Sequence, residues 1–501
     1  MSGYLLGIDI GSSSVKASLV DAQSGKVVAS ASSPATELAI IAHQSGWAEQ
    51  SPDLWWTHLK VALDAIRCQH NNILQEICAI GIAYQMHGLV LVDEAGNPLR
   101  DAIIWCDSRA VPYGQRAFQD IGEQKCLQRL LNSPGNFTAA KLAWVKENEP
   151  ALFSRIHKLM LPGEYIGLRL TDEVITTPSG LSEGILWDTA SNAPAAFLLE
   201  YFGIDSSLLA EIRPSFAEQG RVSKAAAAEL GIKQGVPIAY RAGDQPNNAF
   251  SLNVLEPGEA ATTAGTSGVV YGIAGEATYD PLSRVNTFVH VNHQSAYQRY
   301  GVLLCLNGTG SLNQWLKRLL GGGQPNGIDY ETMNKLAEKV GVGAEGLRVY
   351  PYGNGAERTL ENKDPGAVIE NLNFNIHGRS HLLRAAQEGI VFALHYGVEI
   401  MRDMGMNIHT VKAGKANMFL SPLFRQTFAT ATGATLQLYN TDGAIGAARG
   451  AGVGAGIYTS FDEAFSNLTC VETIMPDLLL QERYAELYGI WKEKLQARLV
   501  S

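Results

Sequence analysis

Two short turns and one acid carry the residue types that phosphate chemistry needs. Asp9-Ile10-Gly11-Ser12-Ser13-Ser14 places a carboxylate at the end of an apolar run, then a glycine, then three hydroxyls, with Lys16 close behind. Glycine frees the backbone there, and successive N–H groups can form a concave nest for phosphate oxygens. Asp9 is a candidate ligand for Mg²⁺, a hard cation that takes oxygen ligands together with phosphates. The same residues also suit an ordinary Asp/Gly/Ser hairpin turn. Gly265-Thr266-Ser267-Gly268 repeats the device between two further apolar runs. Asp244, in Gly243-Asp244-Gln245, follows the apolar run 236–240. A carboxylate at such a strand end can accept a hydroxyl proton during phosphoryl transfer. The alternative for Asp244 is an N-cap of a helix beginning near Asn247.

Two further segments interrupt apolar sequence with polar groups. Gln85-Met86-His87-Gly88 lies between two predicted strands, and Gln and His both offer donors and acceptors to a sugar. A satisfied core histidine is the alternative. Trp105-Cys106-Asp107-Ser108-Arg109 could line a sugar site with the Trp105 ring, or form a structural ion pair beside a core tryptophan.

The elements that must hold these groups follow from periodicity. Continuous apolar runs predict strands over 4–8, 15–20 and, after the Ser24-Gly25 turn, 26–31. A helix is predicted over 52–68, with Ser51 as N-cap and Pro52 at its first position. Strands are expected at 77–83, 89–92 and 236–240. Near residue 258 the layout of residues 4–20 begins again: strand 259–264, glycine-hydroxyl turn, strand 269–273. A strand at 347–350, a long helix over 382–404 and a Gly/Ala-rich helix over 443–458 complete the pattern. The reading is an α/β chain of two halves, 1–250 and 251–501, joined by short hinges. Paired hydroxyl turns, one opening each half, are the hallmark of the actin-like ATPase architecture.

Composition excludes several classes. The chain has 501 residues, 46% apolar and 18% charged, which fits a globular protein of two to four domains. The net charge is −10 and no run of five Lys/Arg occurs, so nucleic acid and anionic membrane are poor partners. The six cysteines include no C-x-x-C pair and are read as reduced thiols of a cytoplasmic protein. Asp9 interrupts the first apolar run, so no signal peptide is expected, and no apolar stretch of ~18 residues is present to span a bilayer. There is no P-loop. The single G-x-G-x-x-G, at 341–346, precedes a strand instead of following one, which is the wrong context for a dinucleotide.

A wider set of segments carries a family resemblance. It comprises residues 7–16, 46–52 with Trp55-Trp56, 85–88, 105–109, Lys141 to Val145, Leu161 to Tyr165, 265–268, Glu357-Arg358-Thr359 and 443–448. In that order, and over nearly the whole chain, they resemble the FGGY carbohydrate kinases, most closely the xylulokinase branch. The resemblance implies two ribonuclease-H-like domains with a nucleotide cleft between them, and transfer of the ATP γ-phosphoryl group to a sugar hydroxyl with Mg²⁺. It implies Asp244 as catalytic base and Asp9 near the metal. Ser12, Ser13, Ser14, Lys16, Gly265, Thr266 and Ser267 would serve the phosphates, and Gly310, Gln314, Gly414 and Asn417 the nucleoside. Gln85, Met86, His87, Trp105, Asp244 and Gln245 would form the sugar site. Two departures stand out: Gln245 replaces the usual Asn, and Lys412 to Phe419 replaces a Gly-Gly-Gly-Ala adenine loop.

The expectation is a kinase of a ketopentose, D-xylulose to D-xylulose 5-phosphate. Gluconate, ribulose, a deoxyketose or glycerol are the alternative substrates, and an inactive sugar sensor of the same fold is the alternative role. A chaperone or filament ATPase would not need Gln85-Met86-His87 or Trp105. The only partner implied is a small sugar. The oligomeric state stays open, with a homodimer among the outcomes.

Overall fold

A computed structural model describes residues 3–70, 72–322 and 327–500. They fall into two compact units. The first holds residues 1–253, 288–300 and 441–468; the second holds 254–287, 301–440 and 469–501.

The first unit is built on five strands: β1 (Tyr4–Ile10), β2 (Val15–Asp21), β3 (Val27–Ser33), β4 (Ile77–Tyr84) and β5 (Ile238–Gly243). Their order is β5-β4-β1-β2-β3. β1, β2 and β3 pair antiparallel, and β4 and β5 add to β1 in parallel. Three of these strands are nearly continuous runs of Ile, Ala, Leu and Gly because both sheet faces are covered. The helix Pro52–Gln69 packs on β2 and β3, burying Trp55, Leu59, Leu63 and Ile66. Ser51 is its N-cap and Pro52 opens it, as the sequence predicts, but the Ser51 hydroxyl makes no capping bond.

The other face of β1, β4 and β5 is covered by the helix Gly443–Gly454, from far along the chain. Its backbone presses onto the strands so closely that a Cβ on Gly7 would fall 1.7 Å from the Ala444 carbonyl oxygen. The Gly/Ala richness of the helix is thus a packing requirement. It ends at Gly454, four residues short of the predicted end. A single boundary at 250 leaves out this return, and that of residues 288–300.

The second sheet has seven strands: β6 (Glu259–Ala264), β7 (Gly268–Ala274), β8 (Asn286–Val289), β9 (Tyr300–Leu306), β10 (Thr410–Gly414), β11 (Thr435–Tyr439) and β12 (Cys470–Ile474). Their order is β8-β9-β7-β6-β10-β11-β12. β6 and β7 form an antiparallel hairpin, and β10 and β11 add in parallel. That is the scheme of β1, β2, β4 and β5, so the repeat read from two turns extends to sheet topology. The long helix runs Arg379–Asp403 and packs on the strand Arg348–Tyr352. No helix among the described residues is long and apolar enough to cross a membrane.

Candidate active site

In the first unit the candidate groups gather at the carboxyl ends of β1, β4 and β5. Asp9 pairs in register with Ala83 of β4, and Ala83 with Ala242 of β5, so Asp9 and Asp244 leave the sheet at one edge with β4 between them. Open α/β sheets bind ligands at this edge. Gly11 N–H bonds the Ser14 carbonyl at 3.0 Å and closes the first turn, leaving Ser13 exposed. Lys16, paired with Asp9 in register, forms an ion pair with Asp442. Asp442 in turn caps the helix Gly443–Gly454 by accepting from Ile445 N–H at 3.0 Å.

Asp244 is the first residue of the helix Asp244–Ser251, and Gly243 is the N-cap. The capping alternative for Asp244 therefore does not hold. Its carboxyl is pushed up to about 7 by burial, then by the negative Asp9; the backbone and side chain of Gln245 hydrogen-bond it and hold the shift back. Asp9 is pushed up to about 6, by burial and then by Asp442, with Lys16 opposing. Asp9 thus ionises before Asp244, and its negative charge helps keep the proton on Asp244. Gln245, expected at the sugar, thus has a bond to Asp244 as its clearest contact.

After β4 the chain turns through Gln85, Met86 and His87. Gln85 is buried, and its side-chain N–H donates to Gln50 Oε1 at 3.1 Å. Gln50 donates to the Ser12 carbonyl at 2.7 Å, so Gln85 braces the first turn from below. His87 adopts a left-handed backbone (φ 59°). Its Nδ1 lies 2.8 Å from the Glu183 carbonyl oxygen, which can only accept, so Nδ1 carries the proton. Its ring meets Phe137 edge-on at 4.8 Å. The exposed Trp105 donates from its ring N–H to Ser12 Oγ at 3.3 Å, beside the first turn. Asp107 and Arg109 behave differently. Arg109 Nη2 binds Asp107 at 2.7 Å and Nη1 binds Glu49 at 2.6 Å, while the guanidinium lies 3.8 Å from the Trp47 ring centre. They form a structural ion pair, as the alternative reading held, but its aromatic neighbours are the half-buried Trp47 and the buried Trp144, while Trp105 is exposed.

Beneath this edge lie buried charges: Lys141 and Glu164 fall in segments of the family resemblance that carried no site role, and Glu183 falls in none. Glu183 packs against Gly243 and Met86: a Cβ on Gly243 would fall 2.2 Å from its Oε2. Neither of its carboxyl oxygens has a hydrogen bond of ordinary geometry. Burial, then Asp244 and Glu164, drive its pKa far above the carboxylate range. Glu164 accepts from Thr176 at 2.5 Å and from Leu161 N–H at 2.8 Å. Lys141 is fully buried, and burial pushes it down to about 7. The available signal was a charged residue inside an apolar stretch, Ala-Ala-Lys141-Leu-Ala-Trp and Leu-Ser-Glu183-Gly-Ile-Leu.

In the second unit the turn Gly265–Ser267 links β6 to β7. Gly310 N–H donates to the Gly265 carbonyl at 2.8 Å and Ser311 N–H to that of Thr266 at 3.1 Å, so the start of the helix Gly310–Leu320 grips the turn. Thr266 remains exposed. Asn417 brings its side-chain nitrogen to the same place, 3.5 Å from where a Gly265 Cβ would sit. Gly414 ends β10, whose Ala413 pairs with Thr262 of β6. Gln314 lines a cavity of about 370 Å³ with Trp315, Arg318, Asn354 and Ile369. Both glycine-hydroxyl turns thus leave a hydroxyl residue exposed, Ser13 and Thr266, and each is held by hydrogen bonds from outside the turn.

Comparison with known proteins shows the family and the fold. The family model described as "FGGY family of carbohydrate kinases, N-terminal domain" matches residues 4–251, and its C-terminal counterpart matches 260–455. The xylulose kinase of Bacillus subtilis is 30% identical, covering 98% of this chain and 96% of its own. The crystal structure of xylulose kinase from Rhodospirillum rubrum superposes with a TM-score of 0.88 at 26% identity, covering 99% of this chain and all of the other. That of gluconate kinase from Lactobacillus acidophilus reaches 0.89 at 21% identity over 100% and 99% of the chains, a likeness of fold alone.

Proposed function

The chain belongs to the FGGY family of carbohydrate kinases, and on that premise we propose that it transfers the γ-phosphoryl group of ATP to the terminal O5 of D-xylulose. It is a sugar kinase; the sugar, the nucleotide and the residue roles are our reading. The observation that carries it is the carboxyl pair at the ends of β1 and β5, with Asp244 poised at about 7. A base works best when its pKa lies near the operating pH. Asp244 takes the proton of the sugar hydroxyl as the oxygen attacks the γ-phosphorus and ADP leaves. Gln245 holds its carboxyl in place.

Ser12, Ser13, Ser14 and Lys16 serve the phosphates from one turn, and Gly265, Thr266 and Ser267 from the other. Gly310, Gln314, Gly414 and Asn417 serve the nucleoside. The residues present fit Mg²⁺, which needs only one or two carboxylates beside substrate phosphates. Asp9 would hold it, and Asn248 Oδ1 borders the same spot beside Gly443. When bound, Mg²⁺ supplies positive charge against the phosphate oxygens.

The choice of D-xylulose rests on Met86, His87 and Arg109. With Nδ1 bonded to the Glu183 carbonyl, Nε2 is the ring nitrogen we assign to a sugar hydroxyl. Met86 offers an apolar edge for a carbon. Arg109 is consumed by Asp107 and Glu49, so it supplies no cation for the carboxylate of a sugar acid. That argues against gluconate.

Asp244→Asn tests the reading. It should keep the fold and nucleotide affinity while cutting sugar-dependent turnover by about 10²–10⁴-fold or more. Turnover near the wild-type rate would remove Asp244 from the chemistry.

A further inference from the structure

The left-handed His87 is bonded through both its ring and its carbonyl, and the donor to the carbonyl is a residue with no assigned role. Lys141 projects from the helix Thr138–Asn148 into the protein interior. Its Nζ donates to the His87 carbonyl at 2.8 Å and to the Ile104 carbonyl at 3.0 Å. Those two carbonyls belong to the two segments assigned to the sugar, one ending Gln85-Met86-His87, the other preceding Trp105. Asp107, the acid that acts on Lys141 most strongly, is itself bound by Arg109. A fully buried ammonium with no carboxylate in hydrogen-bond contact is costly to keep. A helix seeking only apolar contact at this position would be better served by Met or Leu.

We propose that Lys141 is a positioning residue for the sugar site: its buried ammonium ties the His87 backbone to the Ile104 strand end and holds His87 in its left-handed conformation, with Nε2 aimed at substrate. The inference rests on the assignment of His87 to the sugar. A non-glycine residue at φ near 60° persists only where its surroundings impose it. Here the surroundings are the Glu183 carbonyl on the ring and the Lys141 ammonium on the carbonyl. Without the ammonium, the link between the His87 and Ile104 carbonyls is gone, the Ile104 carbonyl keeps the Asp107 N–H, and the loop at His87 relaxes toward negative φ. The ring then leaves its place, while Asp244 and both glycine-hydroxyl turns keep theirs.

The test is steady-state kinetics of K141M, H87A and the double variant with D-xylulose and ATP. K141M should raise the sugar KM about tenfold or more, the loss expected for a charged donor to a buried carbonyl, with the ATP KM within about twofold. The rise caused by K141M should shrink at least about threefold in the H87A background, because contacting residues couple. Should K141M not fold, K141A purified with propylammonium takes its place; removing the amine should raise the sugar KM, propylammonium should restore it, and tetramethylammonium, which has no N–H, should not. An unchanged sugar KM in K141M, or equal effects of K141M with and without His87, would overturn the proposal while leaving the kinase reading intact. An H87A variant with unchanged sugar KM would overturn both this inference and the sugar-site assignment.

Discussion

At the residue scale, the electrostatics of Asp244 and Asp9 set the pH behaviour. The base must be ionised, so kcat/KM for the sugar should climb with pH and level off above about 7. A profile flat from pH 5 to 8 would contradict Asp244 as the base. The same shift has a stability consequence. The folded pKa of Asp244 lies above its unfolded value of about 3.8, so the folded state binds this proton more tightly. Stability from this group is full below about 4 and is lost as pH rises through about 7. Asp244→Asn removes the titration. Its melting temperature should therefore gain on the wild type between pH 5 and 8, and differential scanning calorimetry across that range reads the trend. Asp9, Asp244, Gln85 and His87 stand out in the sequence because each interrupts or ends an apolar run. Lys141 and Glu183 carried the same mark. A charge inside a helix pattern gains meaning only when the helix proves to be buried on every side, so no role followed for either from the sequence.

At the scale of elements, the grip of the helix Gly310–Leu320 on the turn Gly265–Ser267 is the most exposed point of the account. A Cβ on Gly310 would fall 2.3 Å from the Gly265 carbonyl oxygen. Gly310→Ala must therefore push the helix or the turn aside, a strain of about 1–3 kcal/mol. We expect a higher KM for ATP, by roughly tenfold, with the KM for the sugar little changed. An unchanged ATP KM would separate this turn from the nucleotide. Periodicity located β1, β2, β6, β7 and the helices beginning at Pro52 and Gly443, since each is a long run with one dominant pattern. It misjudged ends, such as Gly454 for 458 and Arg379 for 382. Ends depend on what the last turn packs against, which local pattern does not contain.

At the scale of the whole molecule, the duplication of strand–turn–strand was visible in two tetrapeptides, but the return of residues 441–468 to the first unit was not. The partner of the Gly/Ala-rich helix is a sheet whose first strand, β1, lies more than 400 residues earlier in the chain, and close approaches such as that at Gly7 explain its composition. The division of labour predicts separable ligand footprints. Sugar alone should slow amide exchange around 85–88 and 104–106, and ADP alone around 265–267 and 414–417, each by linkage to the bound state. Sugar and ADP protecting the same segments would contradict the assignment of residues. The central claim, that this chain is a kinase of D-xylulose, is tested most directly by coupled ADP release over ketoses, aldoses, polyols and sugar acids. A site built to hydrogen-bond particular hydroxyls can reject analogues that lack them by about 10⁴-fold. The account predicts D-xylulose as the best substrate in kcat/KM, by about tenfold or more over gluconate and glycerol; either of those leading by the same margin would contradict it.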